Sequence, residues 1–272
     1  MSCGRSVTLE TSGNESTIVD SFCNPACFMD ETRENPAIDY ALQEASAWDV
    51  LWGKLFDKYQ ADIRHAYYIA ALRRRNERRL LEIAAGSFRD AAALNRWGLS
   101  CDGVDFSPES VEKARSAFAI FSNRIRQMDA TRLDYADKVF DLSYHNGFWG
   151  YFDDADIYRL GTEQARVTKR RMIATVHNAH HEMFRRNFAE RGKADSLYRI
   201  RFFHAEEIAT LMRRFCRRVT VLPVGGGRVD RLIRRGYSAG IVRWPFLLRV
   251  FGLKQFSRFD IGERLMCIGE VP

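Results

Sequence analysis

Residues 79–105, RLLEIAAGSFRDAAALNRWGLSCDGVD, decide how the chain is read. RLLEIA (79–84) is an apolar run with the length of a strand, residues 88–97 carry helical spacing up to Gly98, and CDGVDF (101–106) is a second strand containing Asp105. Strand, turn, helix and strand form a βαβ unit, whose first turn faces any bound ligand because helix amides and small residues let the backbone come close. A dinucleotide site needs three glycines in that turn. Here EIAAGSFRD holds Gly86 alone, and a Walker-type lysine is missing, so a diphosphate is a poor fit.

The alternation continues downstream. Ser107-Pro108-Glu109 reads as a capped helix start with proline in the first turn. NRIRQMDA (123–130), VFDLSYHN (139–146) and RRMIATVHN (170–178) read as strands, with a helix over 153–168 between the last two. A further helix, HAEEIATLMRRF (204–215), precedes RVTVLPV (218–224), and RLMCIGEV (264–271) is the last strand. The pattern predicts an α/β fold: a doubly wound, seven-stranded, mostly parallel sheet with ligands at the carboxyl ends of its strands.

Around this domain, assigned to 77–272, the chain changes character. Residues 1–35 are polar and aperiodic, with Asn24-Pro25 and Asn35-Pro36 as breakers, and read as a flexible tail. Residues 36–76 read as a helical extension, with Ala41, Ala45, Trp48, Leu51, Trp52, Leu55, Phe56 and Tyr59 on one stripe and a second helix over 61–75. That stripe fits a packing surface or one wall of a substrate pocket. An insert, 225–262, separates the last two strands. Its apolar run IVRWPFLLRVFGL fits a lid, a dimer contact, a peripheral membrane contact through 241–253, or a site for an acidic acceptor.

Charge is distributed unevenly. Residues 1–49 carry 2 basic and 9 acidic side chains, residues 50–157 carry 16 of each, and residues 158–272 carry 24 and 10. Most of the basic residues are arginines, whose planar fork suits carboxylate and phosphate. Six scattered cysteines (3, 23, 27, 101, 216 and 267) fit reduced thiols rather than a disulfide framework. Cys23 and Cys27 have no second pair at metal-ligand spacing, so no metal is expected. The start of the chain lacks a secretion signal and no run is long enough to span a bilayer; the expected location is the cytoplasm.

LLEIAAGSFRDAAALNRWG, GVDFSPESVEKAR, MDATRLDY and FDLSYHNGFWGYF resemble, in order and spacing, the successive motifs of the class I, Rossmann-like S-adenosylmethionine-dependent methyltransferases. The resemblance spans roughly 79–224 together with the final strand. It implies S-adenosyl-L-methionine as cofactor and methyl transfer as activity. Glu82 and Gly86 match the acidic residue and a glycine of the first motif, while Ala84 and Phe88 stand where glycines are common. Of the two departures Phe88 is the larger, because a side chain opposes positive φ; it reads as a reshaped edge of the methionine pocket.

The cofactor carries no phosphate, so its turn needs close approach more than anion-binding amides. The resemblance places Asp105 on the ribose hydroxyls, Phe106 against the adenine, and Asp129 followed by Ala130 at the adenine amino group. It leaves Asp90 as a partner of the cofactor's ammonium group or a helix-dipole acid, and Glu82 as a direct contact or a support of the loop. In this family the residue after the fourth strand often meets the cofactor through its backbone, and His145, near the end of 139–146, is counted among the cofactor contacts on that ground.

Histidine can take a proton near neutral pH, which makes His145, His177 and His180 the candidate bases. The His145-Asn146-Gly147-Phe148 element lacks the prolines of enzymes that methylate nucleobase amines. The expected acceptor is the hydroxyl or amine of a small molecule or glycan, with anionic character; the alternatives are an RNA methyltransferase and a non-catalytic, regulatory cofactor-binding protein. A homodimer is a further expectation.

Overall fold

The computed structural model describes residues 55–240 and 258–272. The tail, most of the helical stripe and the 241–253 run therefore lie outside the described residues. The chain divides into units 1–34 and 35–272, and everything below concerns the second.

The strands are β1 (Arg79–Ile83), β2 (Ser100–Asp105), β3 (Ile125–Gln127), β4 (Phe140–Asn146), β5 (Thr168–Asn178), β6 (Phe202–Phe203), β7 (Arg218–Val224) and β8 (Arg264–Glu270). Their order in the sheet is β3-β2-β1-β4-β5-β8-β7, with the two-residue β6 paired to β5. From β3 to β5 all pairings are parallel, with Leu81 facing both Asp102 and Ser143. The last strand, β8, runs antiparallel to both β5 and β7. Its amino end therefore lies at the edge where the parallel strands have their carboxyl ends. His177 pairs with Arg264 at that edge.

Helices cover both faces: α1 (Arg64–Leu72), α2 (Arg89–Arg96), α3 (Pro108–Ala117), α4 (Asp154–Val167), α5 (Glu182–Gly192), α6 (Ala205–Arg213) and α7 (Gly227–Ser238). Their starts follow from local chemistry. Ser107 Oγ accepts from the Ser110 amide ahead of Pro108, and Asp153 accepts from the Asp156 amide. The α5 helix and β6 were not apparent in the sequence; His181 Nδ1 accepts the Phe184 amide at the start of α5. With both faces covered, β4 is buried along its length: Phe140, Leu142 and Tyr144 on one side, Ser143 and His145 on the other.

One buried ion pair ties the sheet to its flank. Arg171 of β5 holds Glu77 through two bonds of 2.5 Å and donates to the Leu72 carbonyl at the end of α1. Both side chains are almost wholly excluded from solvent, so each charge depends on the other.

The glycine-poor turn after β1 folds by a different distribution of space. Ala84, Gly86 and Phe88 all take left-handed φ, at 52°, 53° and 54°. Phe88 is the residue before α2, and its ring does not border the ligand side, contrary to the pocket-edge expectation. It is fully buried with Phe56, Ala92, Val111, Ala114, Phe118 and Ile125. Opposite it in β2 is Gly103, where a Cβ would lie 2.7 Å from the Phe88 ring. The room that a glycine leaves in the usual turn is here left in the neighbouring strand.

Candidate active site

A cavity of about 410 Å³ opens along the edge where β1, β2, β4 and β5 end. This is the switch point between β1 and β4, where parallel sheets of this kind take ligands. Ala84, Asp105, Phe106, Met128, Asp129 and Ala130 line its first part. Asn146, Gly147 and Phe148 follow at the end of β4, and Tyr59, Tyr151, Phe152, Phe188, Tyr198 and His177 continue the wall with Arg89 and Arg264.

Asp105 is held in place from two sides. The Gly86 amide donates to Oδ2 at 2.7 Å and the Ser107 amide donates to Oδ1 at 2.9 Å. The carboxylate thus couples the first turn to the end of β2 while still reaching the cavity. Phe106 is 48% exposed beside it, a large apolar ring left open at a cavity mouth. Asp129 accepts from both the amide and the hydroxyl of Thr131 at 2.8 Å, which orients it at the end of the β3 segment.

Other sequence candidates stand behind the wall. Glu82 accepts from the Ala91 amide at 2.8 Å, at the start of α2. Burial, with Asp90 as the nearest charge, pushes its carboxyl well above the ordinary range. Asp90 is equally buried and accepts from the Ala66 amide and shares a 3.2 Å contact with His65 Nδ1, whose Nε2 meets Thr175 Oγ1 at 2.9 Å. Neither acid lines the cavity. Asp90 joins α1, α2 and β5, so its expected role toward the cofactor's ammonium group does not fit this placement. Gly86 acts through its amide on Asp105 rather than through the cavity surface.

The three histidines separate. His145 is wholly buried between Phe148 and Trp149, and among the described residues neither ring nitrogen has a partner. Burial, and next to it His65, lowers it to about 3, and its side chain does not line the cavity, which removes it as a base there. His180 accepts the Ala205 amide through Nε2, stands edge-on to His204, and is also away from the cavity. His177 does line it, packed among Phe184, Phe188 and Phe202. Arg264 donates to His177 Nδ1 over 3.2 Å, so the neutral ring carries its hydrogen on Nε2. Burial, then the Arg264 charge, holds His177 well below its ordinary pKa. The ring is therefore a donor, not the base expected from the sequence.

Sequence reasoning missed Arg89, Arg264 and Tyr198, whereas Tyr59 belongs to the stripe read as a packing surface or pocket wall and does line the cavity. Arg264 reaches the ligand edge only because β8 runs antiparallel to its neighbours, a direction the sequence does not show. Among the described residues no group of three or more His, Cys, Asp or Glu is arranged to hold a metal, and no helix is long and apolar enough to cross a membrane.

Residues 81–174 match the family model of a methyltransferase domain. No curated protein sequence matches the chain. Among solved structures it is similar to an S-adenosylmethionine-dependent methyltransferase from Thermotoga maritima, at 17% identity and a TM-score of 0.53 over 87% of this chain and 98% of that one. A second such methyltransferase, from Archaeoglobus fulgidus, is similar at 16% identity and 0.53 over 79% and 94%. A protein from Pyrococcus horikoshii is similar at 16% and 0.54 over 79% and 91%. At these identities the solved structures bear on the fold, and the matched segment covers β1 to the middle of β5 with Asp105 and Asp129 inside it. Residues 81–174 thus carry a methyltransferase domain, set in a sheet whose strand order and structural likeness are those of the class I S-adenosylmethionine-dependent methyltransferase fold.

Proposed function

We propose that the protein methylates a hydroxyl or amine of a small-molecule or glycan acceptor bound in this cavity. The observation that carries the reading is that one cavity has two kinds of wall. Asp105, Phe106 and Asp129 stand on one side of the β4 end, and an aromatic wall of Phe148, Tyr151, Phe152, Phe188 and Tyr198 stands on the other.

The first wall fits the cofactor. Asp105 can accept both ribose hydroxyls because a carboxylate keeps lone pairs beyond those used by the two backbone amides. Phe106 offers a face for the adenine and Asp129 an acceptor for its amino group, with Ala130 beside it. Ala84 is the small residue at the closest approach of the turn. When bound, S-adenosylmethionine would supply a methyl group activated by its sulfonium, which an in-line nucleophile would take as S-adenosylhomocysteine leaves as a neutral thioether. The chain's contribution is alignment and exclusion of water. Among the described lining residues His177 is the one histidine and is a donor, and Asp105 and Asp129 are the only acids. The arrangement therefore favours acceptors that are already nucleophilic, such as neutral amines or readily ionised hydroxyls.

An RNA acceptor is the second reading, because Arg228, Arg231, Arg234 and Arg235 are all exposed on α7. Against it, Arg166, Arg170, Arg171 and Arg201 of the basic half are paired with acids. The test is transfer of labelled methyl from S-adenosylmethionine into a cell extract separated into metabolites, glycans and RNA. Label in the small-molecule or glycan fraction is expected. Label confined to RNA would overturn the acceptor class, and cofactor binding without any transfer would favour a regulatory protein.

A further inference from the structure

Arg264 is a guanidinium lining the cavity that, among the described residues, has no carboxylate partner. Among the described residues none of its contacts is an ion pair: His177 Nδ1 accepts from Nη1 at 3.2 Å and the Phe184 ring lies 5.9 Å from its central carbon. The neighbouring Glu263 carboxylate turns to Arg64, 3.6 Å away, and Arg64 is shared with Asp62 and Asp230. Burial, reinforced by Arg64 and Arg89, lowers Arg264 to about 10 in spite of Tyr151 and Glu263. A cation placed this way leaves much of its hydrogen-bonding capacity for something that enters the cavity.

The fold makes room for that arrangement. Gly147, at the end of β4 with φ of 83°, is the point over which Arg264 lies; a Cβ there would meet Nη1 at 3.1 Å and the His177 ring at 3.5 Å. The position is also separated from the cofactor wall. Arg264 is rooted on β8, four strands from Asp105 on β2, and its guanidinium reaches back over Gly147 at the end of β4, two strands from β2, or about 10 Å of sheet at ~4.8 Å per strand. Arg89, at the start of α2, also lines the cavity; its guanidinium donates to the Tyr59 carbonyl at 3.0 Å and forms no ion pair among the described residues.

We propose that Arg264, steadied by His177, receives a carboxylate carried by the acceptor, so that the substrate class is an aromatic or otherwise apolar carboxylic acid. This rests on the methyltransferase reading above. A planar fork matches a carboxylate through two parallel bonds. A single guanidinium balances a single negative charge, which favours a carboxylate over a phosphate dianion. The surrounding Phe188, Tyr198 and Tyr151 supply the apolar wall that such an acid would bury. A carboxylate here would also screen the sulfonium from the positive charge of Arg264.

The test uses the full chain saturated with S-adenosylhomocysteine and titrated by ligand-observed NMR with benzoate, benzamide and phenyl phosphate. Benzoate is expected to bind at least ~10-fold tighter than benzamide, in line with a charged hydrogen-bonded pair. Arg264→Gln should remove that preference while S-adenosylhomocysteine affinity stays within about threefold, and Arg264→Lys should regain part of it. Equal binding of benzoate and benzamide to the native chain would overturn the proposal, as would phenyl phosphate binding tighter than benzoate. So would loss of S-adenosylhomocysteine affinity in Arg264→Gln, which would assign the arginine to the cofactor. If the native chain does not bind S-adenosylhomocysteine, the methyltransferase reading fails first, and the two failures are distinguishable.

Discussion

Replacing Phe88 by glycine restores the residue that the motif usually carries, and the structure predicts that this makes the protein worse. The Phe88 ring is fully buried in a cluster with Phe56, Val111 and Phe118. Truncating such a ring to alanine costs about 3–5 kcal/mol. Relieving left-handed φ gives back about 1–2 kcal/mol, and the extra freedom of glycine in the unfolded chain takes about 0.5–1 kcal/mol. The net expectation for Phe88→Gly is a loss of about 2–4 kcal/mol, read from urea unfolding. Because the ring lines no part of the cavity, S-adenosylhomocysteine affinity under native conditions should change by less than about threefold. Gly103→Ala supplies the second arm: its Cβ would meet the ring at 2.7 Å, so it should cost about 1–3 kcal/mol alone and almost nothing in the Phe88→Gly background. Unchanged or increased stability of Phe88→Gly, or a tenfold change in cofactor affinity, would refute the reasoning.

Two further perturbations read other parts of the structure. Glu77→Ala leaves Arg171 buried without its carboxylate and is expected to cost about 3–5 kcal/mol in urea unfolding. His145 is neutral when folded and lowered to about 3, whereas in the unfolded chain it titrates near 6.5. The unfolded state therefore binds the extra proton between those values; the stabilisation is complete above pH 6.5 and is lost as pH falls toward 3. Between pH 7 and 5 the native chain should lose about 2 kcal/mol more than His145→Phe, whose ring fits the same aromatic surroundings. Parallel unfolding curves for the two proteins across that range would contradict the placement.

The fold was legible because its signals are local. RVTVLPV forms β7 over the same residues, and Ser107-Pro108 and Asp153 mark their helices as read. The misses have physical causes. Two-residue β6 has too few side chains to show a period, and α5, EMFRRNFAERG, buries mainly an aromatic stripe against His177 and Phe202 rather than a full apolar face. In the site, Asp105, Phe106, Asp129 and Ala130 fall on the cavity because strand ends can be located from sequence. The histidines could not be sorted that way. His145 and Asn146 are adjacent, yet alternation along β4 sends one into the core and leaves the other at the cavity. Arg264 depended on the direction of β8, which only its pairing with β5 and β7 reveals.

The most direct measurement of the central claim is calorimetric titration of S-adenosylhomocysteine into the native chain and into Asp105→Ala. The account predicts saturable one-site binding to the native chain and a loss of at least ~100-fold in the variant, since two charge-assisted hydrogen bonds to the ribose and the tie to the Gly86 amide go together. Absence of binding to the native chain, or equal affinity in Asp105→Ala, would contradict it.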